Sequence, residues 1–245
     1  ISQRLTMSSS TSTTAAAGAP LEAHQKAYIE LAIRTDVLKF GGPFTLKSGR
    51  LSPYFFNSGL FSTGEAIAQV ASSYAAAIAK SGIEFDVLFG PAYKGITLAA
   101  TTALALYRDH NISVEFAYNR KEAKTHGEGG SLVGASLAGK RVLIIDDVIT
   151  AGTAIGEATS ILATQSDAKL AGICIALDRQ ERASTDDNDP DKRSTIHKVE
   201  EKYGVKVLSV CTLGHIVSYL QQQGGLEEQL AKVQEYRARY GAVEQ

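Results

Sequence analysis

The stretch "VLIIDDVITAGTA", residues 142–154, decides how the rest of the chain is read. Its apolar start has no polar alternation, which predicts a strand buried on both faces, the habit of parallel sheets. The run ends in two adjacent aspartates, Asp146 and Asp147, and passes at once into a turn of threonine, alanine and glycine that opens a helix. Gly152 permits a sharp turn, and the small Ala151 and Ala154 leave backbone N–H groups uncovered. With the hydroxyls of Thr150 and Thr153, the turn makes an anion nest at a helix N-terminus. Two carboxylates and an anion nest call for ligands of opposite character. A sugar phosphate satisfies both, with its phosphate on the nest and its vicinal diol on the carboxylates. A strand terminator and helix cap is the plain alternative. Neither the Gly-Lys-Ser/Thr of a Walker loop nor a Gly-x-Gly-x-x-Gly follows, so ATPase and dehydrogenase readings fall away.

Outward from this stretch, apolar strands at 85–89 ("FDVLF"), 113–119 ("SVEFAYN"), 169–177 ("KLAGICIAL") and 205–210 ("VKVLSV") alternate with helical patterns at 64–80, 95–109 and 154–164. That alternation predicts an α/β fold, a parallel sheet covered by helices on both faces. Ahead of it, Leu21 to Lys39 reads as an amphipathic helix stopped by Gly41-Gly42-Pro43, and "FTLKSGRLSPYFFN" (44–57) as a hairpin turning at Ser48-Gly49-Arg50. Two segments break the pattern. Residues 120–134, basic and then rich in glycine (Gly127, Gly129, Gly130), read as a mobile flap between strands, and residues 183–195 as a solvated charged loop.

Lys and Arg total 25 against 26 Asp and Glu, a net charge of -1 that argues against a general nucleic-acid surface. No apolar run is long enough to cross a bilayer and no secretory pattern opens the chain, so a soluble, cytoplasmic protein is expected, with no membrane partner. Cys174 and Cys211 lie within apolar runs and read as buried thiols. Residues 1–20 are expected to be a disordered tail, with residues 1–6 a remnant ahead of a natural start at Met7, the one methionine. A transit peptide is disfavoured because no arginine occurs from Met7 to Ala27.

In open parallel sheets, ligands bind beyond the carboxyl ends of the strands. Three polar stretches fall there: "GPAYKGIT" (90–97), "DDVITAGTA" (146–154) and "DRQER" (178–182). Lys94 stands on the first, between two glycines that allow a close backbone approach. Arg179 on the third can pair bidentately with a carboxylate.

The hydrophobic strand, acidic pair and Thr-x-Gly-Thr turn resemble the phosphoribosyl pyrophosphate signature of the type I phosphoribosyltransferases. Together with "FTLKSGRLSPYFFN", "GPAYKGI" and "YNRKEAKTHGEGG", the chain from about Leu21 to Leu220 resembles the orotate phosphoribosyltransferase family. The resemblance implies a single domain over residues 21–245: a twisted, mainly parallel sheet flanked by helices, a small N-terminal hood from residues 21–60 and a flap at 118–135. It implies transfer of the phosphoribosyl group to orotate in pyrimidine biosynthesis, with Mg²⁺ carried by the substrate and no firm protein ligand to it. A homodimer whose flap completes the neighbouring site follows from the same resemblance. Phosphoribosyl pyrophosphate would meet Asp146, Asp147, Val148, Ile149, Thr150, Ala151, Gly152, Thr153 and Ala154, with Lys94, Arg120, Lys121, Lys124 and His126 on its diphosphate. Lys124, Asp147, Lys94 and His126 would be catalytic. Orotate would meet Lys47, Phe55, Phe56, Tyr93, Thr150 and Arg179. Adjacent Phe55 and Phe56 point to opposite faces of a strand, so at most one stacks on the base. Competing readings are transfer to uracil or a purine, which would not need the cations Lys47 and Arg179, and a regulator that binds phosphoribosyl pyrophosphate and controls nucleic acid. The flap lysines and the lack of an added DNA-binding segment speak against the regulator.

Overall fold

Val142, Leu143, Ile144 and Ile145 are fully buried at the centre of a six-stranded sheet, seen in a computed structural model that describes residues 19–124, 130–150 and 152–243, the side chains of 123, 124 and 130 excepted. The helices are α1 (Ala23–Arg34), α2 (Gly64–Ser81), α3 (Lys94–His110), α4 (Thr153–Ala163), α5 (Thr195–Tyr203), α6 (Leu213–Gln222) and α7 (Glu227–Tyr240). The strands are β1 (Leu38–Thr45), β2 (Leu51–Phe56), β3 (Val87–Gly90), β4 (Glu115–Lys124), β5 (Gly130–Gly134), β6 (Arg141–Ile145), β7 (Lys169–Asp178) and β8 (Val207–Thr212). The sheet order is β5-β4-β3-β6-β7-β8; β4, β3, β6, β7 and β8 pair in parallel and β5 runs antiparallel to β4. β1 and β2 form an antiparallel hairpin of their own.

Period-two geometry divides the buried strands between two cores. Leu143 and Ile145 of β6, with Cys174 and Ala176 of β7, join a cluster under α1, α2, α3, α6 and α7. Val142 and Ile144, with Ile173 and Ile175, join a second cluster under α4 and α5. Both faces are therefore covered, which is why these strands show no polar alternation. The helix ends carry their own signals: Thr63 caps α2 by accepting from the Ala66 amide at 3.2 Å, and Gly82 ends it at φ +69°.

The structure corrects several boundaries. The helix expected over Leu21 to Lys39 ends at Arg34, where the Thr35 hydroxyl donates to the Leu31 carbonyl at 2.8 Å and Asp36 turns the chain at φ +59°. Leu38 onward is strand, and Gly41-Gly42-Pro43 forms a bulge inside β1, not a helix stop; Gly41 takes φ +100° there. Apolar residues at 37, 38 and 40 fit either period, and the turn at 35–36 decides between them. The flap is more regular than expected: β4 runs on to Lys124 and returns through β5, leaving 125–129 outside the described residues. The 183–195 loop is not simply solvated, since the carbonyl of Ser184 accepts from the Arg50 guanidinium at 2.5 Å and the Ala183 amide donates to the Arg193 carbonyl at 2.9 Å. Ala19, read as part of the tail, is held in place, its carbonyl taking the Ser218 hydroxyl at 2.5 Å; the rest of that expectation, residues 1–18, lies outside the described residues.

Candidate active site

The ends of β3, β6 and β7 are neighbours in the sheet and carry the three polar stretches. After β3 the chain turns through Pro91 to Tyr93, with a cis peptide between Ala92 and Tyr93, and enters α3 at Lys94. A Cβ on Gly90 would overlap the Gly95 carbonyl, so the turn closes this tightly only because both positions are glycine. The buried Asn119 of β4 braces it, accepting the Ala92 amide at 2.9 Å.

After β6 the two aspartates separate. Asp146 is 9% and Asp147 8% exposed. The Asp146 carbonyl accepts the Tyr74 hydroxyl at 2.8 Å, and its carboxylate accepts the Asp147 amide at 2.9 Å. Burial, and then the charge of Asp147, push the Asp146 carboxyl up to about 6. One carboxylate oxygen of Asp147 accepts Lys94 Nζ at 2.7 Å and the Ser58 hydroxyl at 2.5 Å; the other takes the Val148 amide at 2.9 Å. Val148 and Ile149 are half-buried against the two cores, while Thr150 and Thr153 are exposed. Gly152, φ +73°, is the N-cap of α4, and among the described residues no side chain caps the helix, which leaves its first N–H groups available to an anion. Ala154 stands in that first turn, and Ala151 lies outside the described residues.

The flap strand brings Lys121 to Glu157 of α4 at 2.8 Å. Arg120 is half-buried on the same strand. The Lys124 side chain and His126 lie outside the described residues.

The residues read for a planar base are spread over the hairpin and the end of β7. Lys47 sits exposed on the β1–β2 turn, Phe55 is 38% exposed with its ring 5.7 Å from that of Phe44, and Phe56 packs half-buried on the core. Tyr93 is exposed at the start of α3. Arg179 is not a bare cation. Its Nε donates to Glu181 at 2.6 Å, one Nη donates to Ser52 at 3.2 Å, and the guanidinium lies 4.3 Å over the Tyr54 ring. Contacts thus join the hairpin to β7 through Ser52 and Arg179, and the segment after it to β6 through Ser58 and Asp147.

Sequence reasoning missed Ser58, Asn119, Ser52, Tyr54 and Glu181. For Ser58 a signal existed: Asn57-Ser58-Gly59 is a polar turn directly after an aromatic strand, and Asn57 caps the short 3-10 turn Ser58–Leu60. The others are contacts between distant segments, with no local pattern to announce them.

A family model described as a phosphoribosyl transferase domain matches residues 61–210, the class that the acidic strand end and the open helix N-terminus define. An orotate phosphoribosyltransferase of Pseudomonas fluorescens (strain Pf0-1) is 56% identical over 221 residues, covering 90% of this chain and 100% of the relative. One from Vibrio cholerae is 52% identical over the same shares. The crystal structure of orotate phosphoribosyltransferase from Francisella tularensis, 43% identical, aligns with 88% of this chain and 99% of its own at a TM-score of 0.77. The chain belongs to the orotate phosphoribosyltransferase family.

Proposed function

We infer that the chain transfers the 5-phosphoribosyl group of phosphoribosyl pyrophosphate to orotate, giving orotidine 5'-monophosphate and pyrophosphate in pyrimidine biosynthesis. The observation that carries the site reading is the junction at 146–154: two buried carboxylates beside an uncapped helix N-terminus, with Lys94 already on Asp147. The 5-phosphate rests on residues 150–154, and the ribose hydroxyls donate to Asp146 and Asp147. C1 is then left facing the hairpin. Lys94 exchanges Asp147 for the diphosphate as it departs, and Arg120, Lys121, Lys124 and His126 close over the leaving group, Lys121 releasing Glu157 to do so. The ribosyl centre passes through a cationic, loosely bonded state, so the residues act by position and charge. Phe55 offers the base its exposed ring, and Lys47, Tyr93, Thr150 and Arg179 complete its site, Arg179 meeting the orotate carboxylate.

Mg²⁺ borne by the diphosphate would be steadied by Asp146 and Asp147, directly or through water, and when bound it neutralises leaving-group charge. The donor set fits such an ion, since two largely buried carboxylates are at hand. We also propose a homodimer, with flap residues completing the neighbouring site. Leu104 and Tyr107 of α3 and Phe116 of β4, all exposed apolar side chains on adjacent elements, support a second copy. The hood over residues 21–60, within one domain from 21 to 245, belongs to the same reading, and the cytoplasm is the compartment proposed, since both substrates are anions that do not cross membranes unaided. Among the described residues no helix is long and apolar enough to cross a membrane. The deciding assay mixes protein, Mg²⁺ and phosphoribosyl pyrophosphate with orotate, uracil, adenine or hypoxanthine in turn. Orotate alone should be consumed, and turnover of another base in its place overturns the reading.

A further inference from the structure

Beneath the hairpin, Arg179 belongs to a charged cluster with Glu181 and Arg50. Glu181 is shared: one carboxylate oxygen accepts Arg179 Nε at 2.6 Å, the other accepts Arg50 Nη1 at 3.1 Å. Arg50, read in sequence only as a turn residue, is 8% exposed. Its second Nη donates to the carbonyls of Arg182 at 3.0 Å and Ser184 at 2.5 Å, and its guanidinium lies 5.1 Å from the Tyr240 ring of α7. Of the other charges nearby, Arg182 pairs with Asp187, Asp178 accepts the Gln180 amide at 2.7 Å, and the guanidinium groups of Arg182 and Arg239 lie 5.8 and 5.0 Å from the same Tyr240 ring.

We propose that Arg50 is a positioning residue for the anionic base: by occupying one oxygen of Glu181 it keeps that carboxylate from chelating Arg179, so the Arg179 guanidinium stays turned toward the orotate carboxylate. The proposal rests on the reading of Arg179 as the partner of that carboxylate. A lone Glu181 would grip Arg179 by two parallel hydrogen bonds, the strongest geometry the pair can adopt, and would neutralise the cation the base needs. Shared with Arg50, it makes one bond to Arg179. Ser52 and the Tyr54 face then fix the plane of the guanidinium without adding negative charge. A cation of such low exposure on the far side of Glu181 is what a device of this kind requires, and packing alone does not call for one.

Steady-state kinetics test this on the full-length protein, with KM for orotate, KM for phosphoribosyl pyrophosphate and kcat measured separately and the unfolding midpoint recorded for each variant. Arg50→Met should raise KM for orotate about tenfold, the scale of one charge-assisted hydrogen bond, while the other two constants stay within about twofold. Arg50→Lys keeps a cation on Glu181 and should stay within about threefold of wild type. The double variant Arg50→Met/Glu181→Gln removes the competitor along with the guard, and should recover most of the lost orotate affinity, which a merely structural role for Arg50 would not allow. The proposal is overturned by an unchanged orotate KM in Arg50→Met, by an equal rise in both KM values, by Arg50→Lys as impaired as Arg50→Met, or by a double variant no better than the single. Should Arg50→Met not fold, Arg50→Lys and the double variant decide by the same constants. Arg179→Met separates the two readings: if it leaves KM for orotate unchanged, the assignment of Arg179 fails, whereas a large rise there with none in Arg50→Met defeats only the present inference.

Discussion

The hydroxyl of Ser58 reaches the carboxylate of Asp147 at 2.5 Å, a contact between the short turn after the hairpin and the end of the central strand. It fixes the oxygen that also receives Lys94, so the acid and the lysine are held before any ligand arrives. Ser58→Ala removes one hydrogen bond to a charged, largely buried group. A rise in KM for phosphoribosyl pyrophosphate of roughly tenfold is expected, with kcat changed less. Unaltered binding, measured by calorimetry, would show that Lys94 alone orients the acid.

Asp147→Asn tests the acid itself. The amide keeps the shape and loses the charge that Lys94 and a ribose hydroxyl use, so affinity for phosphoribosyl pyrophosphate should fall about tenfold or more. Retained affinity would count against the diol reading of this pair.

Asp146 sets a pH limit. Burial and the neighbouring Asp147 raise its carboxyl from an ordinary 3.8 to about 6. A carboxyl raised on folding binds its proton more tightly in the native state. Its contribution to stability is therefore full below the unfolded value, near pH 4, and is lost as pH climbs through about 6. Substrate binding runs the other way, since the ionised form is the stronger acceptor for a ribose hydroxyl and the one that steadies a cation. We expect kcat/KM for phosphoribosyl pyrophosphate, which reports the free enzyme, to fall below pH 6 and Asp146→Asn to flatten that limb. A limb that persists unchanged in the variant belongs to another group.

Lys124 stands at the end of β4, where the flap leaves the sheet. As a cation that engages the leaving group late, it should matter more to turnover than to binding. Lys124→Ala is expected to lower kcat on the order of a hundredfold, with KM values moving little. Turnover within about threefold of wild type removes it from the catalytic role.

Much of this fold was legible because its central strands are buried on both sides. The runs at 142–145 and 173–177 are apolar through and through, and the parallel sheet followed from them. The Leu38 boundary was not legible, because Val37, Leu38 and Phe40 satisfy helical and extended spacing alike and a single turn at Thr35–Asp36 chooses. α6 went unread, although Leu213, Ile216, Val217 and Leu220 mark a helical stripe against the core. At the site, Asp146, Asp147 and Lys94 announce themselves by local pattern. Asn119 and Glu181 do not, because a polar side chain serving a distant segment leaves no periodicity in its own, and for Ser58 the polar turn at 57–59 marks a turn but not its partner.

The Gly90–Gly95 approach ties fold to site most directly. A methyl group at position 90 would meet the Gly95 carbonyl and the Ala99 side chain, and backbone cannot yield as a flexible side chain can. The first turn of α3 would have to move, carrying Lys94 away from Asp147. Gly90→Ala should therefore cost about 3 kcal/mol, a fall of roughly 6–12 °C in Tm for a chain of this size. It should also weaken phosphoribosyl pyrophosphate binding in the folded fraction. Denaturant unfolding with a loss under about 1 kcal/mol would mean that the turn can open without strain, and the close packing of these two glycines would then not be what holds Lys94 in place.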